Sequence, residues 1–363
     1  MKRLVLMQIL IIGLLCGCAN AQNNEWNPKR TWVFFAGLLE WQDNKFGAFP
    51  QKNRRDEVLL NVLRQRGVPE NQILYLKDSQ ATTARIKSEF AAFLKKPKAG
   101  DTVFVYFCGH GYKSKDHKNT FLASYDAGVN EGWKVEDIPE AIEQNFKGSM
   151  AILTLDNCYS GALNEAVKAR KSNISYAVLT SSHFNSFSTG NWTFTESLIY
   201  AFRGDAFIDD NHDGKVTLDE LESNSKDDMA FAEEQLAQFD FTNGLNRQFV
   251  VANAKPLTSK RIGERVEVKS GNKWWTGFII DEKEGKYRIR YYGFEESDDE
   301  WVTTEQIRQK QPKQYQIGAK VKVEWKGWWY DAKILDVKDG VHLVRYDGYD
   351  SLWDEWVPSR RVK

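Results

Sequence analysis

Cys158 and His110 are the residues whose types and settings could do covalent chemistry together. One is a thiol able to attack a carbonyl, the other an imidazole able to take up its proton. Each follows an apolar run. Ile152–Leu155 leads into Asp156-Asn157-Cys158 and the turn-prone Tyr159-Ser160-Gly161, while Thr102–Phe107 leads into Cys108-Gly109-His110-Gly111. Runs of this length, bounded by turn residues, read as strands buried on both faces. Open α/β sheets keep their chemistry at the carboxyl ends of such strands. Two neighbouring parallel strands ending in His and Cys would set a base beside a nucleophile at one rim. Taken singly, a histidine between glycines is more often structural, and a cysteine at a strand end is more often core. The weight lies in the pair. His117, His183 and His212 have no comparable setting.

The rest of the front of the chain supplies elements that could hold those strands. Thr31–Leu38 reads as a first strand. Asn53–Gly67 is a helix with Val58, Leu59, Val62 and Leu63 on one face and Gly67 as its stop. Asn71–Leu76 is a short strand, and Thr82–Leu94 is a helix with a Thr cap and Ile86, Phe90 and Phe93 at helical spacing. A helix over Val135–Phe146, a strand over Ser175–Thr180 and a helix over Phe194–Phe202 continue the alternation. Alternating strands and helices predict a mostly parallel sheet covered on both faces.

The 363 residues, 42% hydrophobic and 13% aromatic, fit folded globular material of two or three domains. Basic and acidic residues number 50 each, so no global charge draws the chain to nucleic acid or an anionic membrane. Lys2-Arg3 followed by the apolar Leu4–Leu15 has the form of an export signal, too short for a comfortable membrane span. Leu15-Cys16-Gly17-Cys18 resembles a bacterial lipobox with Cys18 as the lipidated residue. Ala19-Asn20-Ala21 also fits ordinary secretory cleavage. Either processing places the protein outside a bacterial cytoplasm, lipid-anchored to a membrane facing periplasm or cell surface, or secreted. Of the four cysteines two lie in this leader, leaving Cys108 and Cys158, which is no disulfide framework. Cys108 reads as a small buried residue.

With these residues in view, the stretch from about Thr31 to Pro256 resembles the caspase-like cysteine peptidases, on the metacaspase and bacterial side of that group. The apolar strand into Cys108-Gly109-His110-Gly111, followed by Asp156-Asn157-Cys158-Tyr159-Ser160-Gly161, carries the resemblance. Thr180-Ser181-Ser182 and Gly190 through Phe194-Thr195 add to it. Cys108 stands where the family usually has Ser, and Tyr159 where many relatives have His. The resemblance implies a caspase-like three-layer sandwich and a Cys158–His110 dyad without a required third member. It also implies an oxyanion site made by the backbone N–H groups of Gly111 and Cys158. Asp56 and Asp156 match acidic residues that line the family's pocket for basic side chains. Two carboxylates there would favour guanidinium or ammonium, hence cleavage after Arg or Lys. Asp56 has a plainer reading, as a first-turn acid complementing a helix dipole.

A calcium loop is expected within this domain. Residues 209–220 fit D-x-N-x-D-G-x5-E without a gap. Asp209, Asn211 and Asp213 would supply side-chain oxygens, Lys215 its carbonyl, Thr217 a direct or water-mediated contact, and Glu220 a bidentate carboxylate, with Gly214 at the sharp turn. A bare tight turn before a helix is the alternative.

Beyond Lys255-Pro256 the chain turns to short, aromatic strands that occur twice. Ile262-Gly263, Trp274-Trp275, Tyr291-Tyr292-Gly293 and Glu300-Trp301-Val302 return as Ile317-Gly318, Trp328-Trp329, Tyr346-Asp347-Gly348 and Glu355-Trp356-Val357, with Ile262 to Ile317 and Trp301 to Trp356 both 55 residues apart. Each copy reads as a small SH3-like barrel and resembles the Tudor-knot, chromo-barrel and agenet group. That resemblance implies an aromatic cage for a cation. Its candidates are Trp275, Tyr292, Phe294 and Trp301 in the first copy and Trp329, Tyr346, Tyr349 and Trp356 in the second. Core filling is the competing role for such aromatics.

The organisation expected is therefore a leader over 1–21, an α/β peptidase domain over 22–256, and all-β barrels over 257–311 and 312–363. The function expected is an exported cysteine endopeptidase acting on peptide or protein substrates, with calcium as cofactor. Its barrels would bind substrate or a peptide or protein partner, with no nucleic acid involved. The alternative is an idle caspase-like scaffold whose tail does the binding. Lys168–Lys171 (KARK) is a self-cleavage candidate or simply a solvated run.

Overall fold

The computed structural model describes residues 24–128, 132–311 and 313–363. The leader and Cys18 lie outside the described residues. The α/β domain is built on six strands: β1 (Thr31–Gly37), β2 (Ile73–Lys77), β3 (Thr102–Cys108), β7 (Met150–Asp156), β8 (Ser175–Thr180) and β10 (Gln238–Thr242). They run in the order β10-β8-β7-β3-β1-β2. Every pairing is parallel except that of β10 with β8. Between β3 and β7 lies a small sheet of β4 (Gly111–Lys113), β5 (Thr120–Leu122) and β6 (Trp133–Lys134).

Both faces of the main sheet are covered, which is why its central strands read as unbroken apolar runs. α1 (Arg55–Gln65) and α5 (Thr193–Arg203) pack on one face with Phe35, Phe104 and Ile152. α2 (Thr83–Phe93), α3 (Asp137–Asn145) and α4 (Ala162–Lys168) cover the other with Phe34, Val105 and Leu153. The expected helix beginning at Thr82 does start there, with the Thr82 hydroxyl accepting from the Arg85 N–H. After β9 (Lys215–Thr217) comes α6 (Leu218–Asp228), and β11 (Val250–Asn253) returns to pair with β9.

The tail forms two antiparallel sheets. The first holds β12 (Arg265–Ser270), β13 (Lys273–Lys283), β14 (Lys286–Tyr291), β15 (Glu300–Thr303) and β16 (Ile307–Arg308). The second holds β17 (Lys320–Trp325), β18 (Trp328–Lys338), β19 (Val341–Tyr346) and β20 (Glu355–Pro358). Both copies bulge at matching points, Ile279/Asp281 and Ile334/Asp336, so the 55-residue repeat is structural.

The copies attach differently. Phe278 and Tyr292 of the first barrel join the core of the α/β domain, and the Tyr292 hydroxyl donates to Asp228, which also takes Arg265 at 2.8 Å. The second barrel keeps a core of its own. It reaches the α/β domain through polar contacts such as Ser359 to Glu234 at 2.8 Å.

Candidate active site

β3 and β7 are paired so that Cys108 lies opposite Asp156. His110 and Cys158 each follow two residues later, and Gly109 ties the ends together by donating to the Asp156 carbonyl at 3.3 Å. A left-handed Tyr159, φ 60°, turns the chain immediately after the thiol. A β-carbon at Gly111 would overlap the carbonyl oxygen of Cys158, so glycine is required for these two segments to approach. Both expected residues line one cleft of about 370 Å³ at the carboxyl edge of the sheet.

The imidazole is fixed by contacts the sequence did not reveal. His110 Nε2 lies 2.8 Å from the Gly47 carbonyl oxygen, which can only accept. The ring packs against Trp41 at 4.5 Å and Phe49 at 4.6 Å, with Phe46 at 5.8 Å. A proton held on Nε2 leaves Nδ1 as the acceptor in the neutral ring. Burial is the main influence on its basicity and lowers it, so the ring stays neutral to lower pH than a free imidazole.

Cys158 Sγ accepts from the Ser188 N–H at 3.3 Å. Burial raises its pKa, only partly offset by that N–H. The resting thiol is therefore protonated at neutral pH and needs a base for attack. Cys108, as expected, is a buried core residue, its thiol pushed far up by burial.

Asp156 lines the cleft. Burial raises its pKa to about 6, against a 2.7 Å hydrogen bond from Thr195 that lowers it. Asp56 does not line the cleft, a correction to the sequence reading. It is fully buried and saturated: Arg54 donates at 2.9 Å, Tyr75 at 2.7 Å and the Glu57 N–H at 3.0 Å. Arg54 also bonds Asp78 and the Gly37 carbonyl, which ties the start of α1 to the end of β1. Beside Asp156 the cleft holds Glu196, in the first turn of α5. It pairs with Arg55 at 2.8 Å and accepts from Tyr200 at 2.7 Å, and burial raises its pKa. A lone acid on the apolar face of Phe194–Phe202 was the available signal. The first barrel also reaches the cleft, through Gly293, Phe294 and Glu295, with Glu295 paired to Lys52 at 3.3 Å.

The calcium-loop residues bond largely to their own backbone. Asp209 accepts from the Gly214 N–H at 2.9 Å, Asn211 from Asp213 at 2.8 Å, and Asp213 from Lys215 at 2.9 Å. Glu220 and Thr217 form a capping box at the start of α6. Among the described residues no three acidic, His or Cys side chains converge on a metal position.

The expected aromatic cages are rearranged. In the first barrel Tyr292 is core, Trp275 packs edge-on against Phe294 at 5.3 Å, and Trp301 lies exposed on β15, so the four do not enclose a site. In the second, Trp329 sits under the Lys363 ammonium at 3.7 Å and Trp356 faces His183. Tyr346 and Tyr349 instead join Trp325, Tyr330 and Trp353, residues sequence reasoning missed.

Sequence profiles of known families agree with this architecture. The profile of the caspase domain matches residues 56–269, that of the agenet domain 263–312, and that of the Tudor-knot, described as "RNA binding activity-knot of a chromodomain", 315–363. No curated protein matches the chain. Among solved structures, a protein from Geobacter sulfurreducens aligns with TM-score 0.45 at 13% identity, covering 62% of this chain and 99% of its own. Caspase-1 from Spodoptera frugiperda aligns with TM-score 0.43 at 12% identity, covering 66% and 96%.

Proposed function

The chain belongs to the caspase-domain family, and on that premise we propose that it is a cysteine endopeptidase using Cys158 and His110. The observation that carries the reading is the shared register of β3 and β7, which brings the thiol and the imidazole to one cleft. His110 Nδ1 takes the Cys158 proton as sulfur attacks the scissile carbonyl, and the oxyanion is met by the N–H groups of Gly111 and Cys158. The imidazolium then protonates the leaving amine. Water, deprotonated by the same ring, hydrolyses the thioester and restores the thiol. The Gly47 carbonyl holds the Nε2 proton throughout, a positioning role for backbone.

Cleavage after Arg or Lys is proposed, with Asp156 as the principal acid and Glu196 in the role expected of Asp56. Three carboxylates, Asp156, Glu196 and Glu295, against two cations, Arg55 and Lys52, leave the pocket one positive charge short, which a basic side chain supplies. The test is a fluorogenic panel with Arg, Lys, Asp or Ala before the scissile bond, on wild type and Cys158→Ala. Arg or Lys cleavage lost on substitution is expected. Equal signals from both proteins would leave the idle-scaffold reading.

Calcium binding at residues 209–220 is also proposed, on donor type alone. Asp209, Asn211, Asp213 and Glu220 offer hard oxygens, but Glu220 must first leave Thr217. No step of the cleavage is assigned to the ion. Export and acylation of Cys18 are proposed from the leader, and mass spectrometry of the mature N-terminus tests them.

A further inference from the structure

Five rings of the second barrel close on one another. Trp325–Tyr330 are 6.1 Å apart, Tyr330–Tyr346 6.0 Å, Tyr346–Tyr349 6.3 Å, Tyr349–Trp353 5.6 Å, and Trp353–Trp325 6.5 Å. The groove they bound has its opposite wall in the peptidase domain, where Tyr159 and Phe187 pack at 5.2 Å. We propose that this groove is a subsite of the Cys158 cleft, taking one large uncharged side chain, aromatic by preference, from the same bound peptide. The proposal rests on the peptidase reading above.

Continuity with the cleft identifies the occupant. Tyr159 follows Cys158 directly, and Phe187 precedes Ser188, whose N–H reaches the Cys158 sulfur at 3.3 Å. The two segments are bonded to each other, Tyr159 N–H to the Ser186 carbonyl at 2.8 Å. Cys158 and Ser188 line the cleft, Tyr159 and Phe187 the groove, so the two spaces share one wall a single residue thick. With about 3.8 Å between successive Cα atoms, a peptide across Cys158 brings a side chain to the groove within a few residues of the scissile bond.

Size and charge narrow the side chain. The groove holds about 140 Å³. That is below the roughly 300 Å³ at which small-molecule pockets begin, and close to the ~150 Å³ apolar cavity that holds a benzene. Its carboxylates are already engaged, Asp354 by Arg345 at 2.8 Å and Glu355 by Arg361 at 2.7 Å and by the Tyr346 hydroxyl. One cation is already present: the Lys113 ammonium lies 5.0 Å from the Tyr159 ring centre and donates to Asn185 at 2.7 Å. Burial lowers its pKa to about 8, so the surroundings already disfavour positive charge. A second cation would meet Lys113 with no free carboxylate to balance it, whereas an uncharged ring needs no counter-ion and packs on the aromatic faces and edges that make up most of the lining. The first barrel has no such site, since Ser270 and Asp298 stand 55 residues before Trp325 and Trp353.

The experiment uses quenched fluorogenic peptides with a fixed Arg before the scissile bond and Phe, Leu, Lys or Ala scanned through three positions on either side. At one position Phe should exceed Ala in kcat/KM by about 10-fold or more, the range an apolar pocket gives, and Lys should not. Trp353→Ala and Trp325→Ala should bring the Phe/Ala ratio to about one, and Trp353→Phe should keep it. A flat scan, a preference for Lys over Phe, or a Phe preference that survives both alanine variants would overturn the proposal. Fluorescence anisotropy of labelled Phe and Ala peptides on Cys158→Ala, with and without Trp353→Ala, separates the two claims. Tighter Phe binding that needs Trp353, with no cleavage by wild type, keeps the groove and rejects the peptidase. Cleavage with no Phe/Ala difference in either assay does the reverse, and neither signal rejects both.

Discussion

Cys108 and Asp156 are register partners across β3 and β7, and each is followed two residues later by a reactive side chain. The parallel pairing converts two distant sequence motifs into one site, because equal offsets from paired residues end at the same height on the sheet edge. If the thiol and imidazole act as one unit, their losses will not add. Cys158→Ala and His110→Ala should each lower kcat by about 10⁴- to 10⁶-fold, and the double variant should fall little further. Single-turnover assays on the three proteins check this, and additive losses would reject a coupled pair.

Asp156 gives the pocket a pH signature. Its raised pKa, about 6, means that the free enzyme loses this anion as pH falls through 6. The Arg-peptide kcat/KM should therefore drop through that value. His110 is shifted the other way by burial, so the acid limb of kcat should lie below the ordinary imidazole value of about 6.5. Asp156→Asn should abolish preference for Arg and Lys while iodoacetamide still alkylates Cys158. Arg cleavage that persists in this variant would place specificity elsewhere.

Asp56 should behave as a structural residue. Asp56→Ala leaves Arg54, 3% exposed, without its main counter-ion. Losing one partner of a buried pair costs about 3–5 kcal/mol. A fall of that size in urea stability is expected, with the Arg/Ala cleavage ratio of the folded fraction unchanged. A changed ratio without a stability loss would return Asp56 to the pocket.

These residues show what was legible in the sequence. The apolar runs before Cys108 and Asp156 read as central strands, so the fold class was legible and Cys158 and His110 could be expected at one edge of the sheet. Asp56 could not be placed, because an acid at the start of a helix looks the same whether it faces a cleft or an arginine two residues away. Gly47 acts through a carbonyl, which every residue type carries. Glu196, Arg55 and Phe294 meet the cleft only through tertiary packing, and periodicity within each segment does not encode it. The aromatic ring of the second barrel was half read: Tyr346 and Tyr349 are in it. Trp329 and Trp356 point elsewhere because β-strand neighbours alternate faces.

Calcium, if it binds the loop at 209–220, should stabilise the protein by mass action. At a calcium concentration about 100-fold above Kd the gain is about 2.7 kcal/mol, read as a rise in Tm that excess chelator reverses. Glu220→Gln should remove the rise. Magnesium at equal concentration should give less, since the loop offers oxygens without enforcing a small octahedral site. No calcium-dependent Tm shift in wild type would leave the loop a capped turn.

The barrels should differ in how they melt. Phe278, 3% exposed, packs with Tyr200 at 5.7 Å and Phe207 at 5.0 Å, both from the peptidase domain. Phe278→Ala removes a ring from a core shared by both units and should cost about 3–5 kcal/mol. Calorimetry should show the peptidase and first-barrel transition move down together. Ile334 is fully buried in the separate core of the second barrel. Ile334→Ala should cost about 2–5 kcal/mol and split off an early transition for that barrel, leaving the main peak in place. The reverse pattern would mean that the first barrel folds as an independent unit and the second does not.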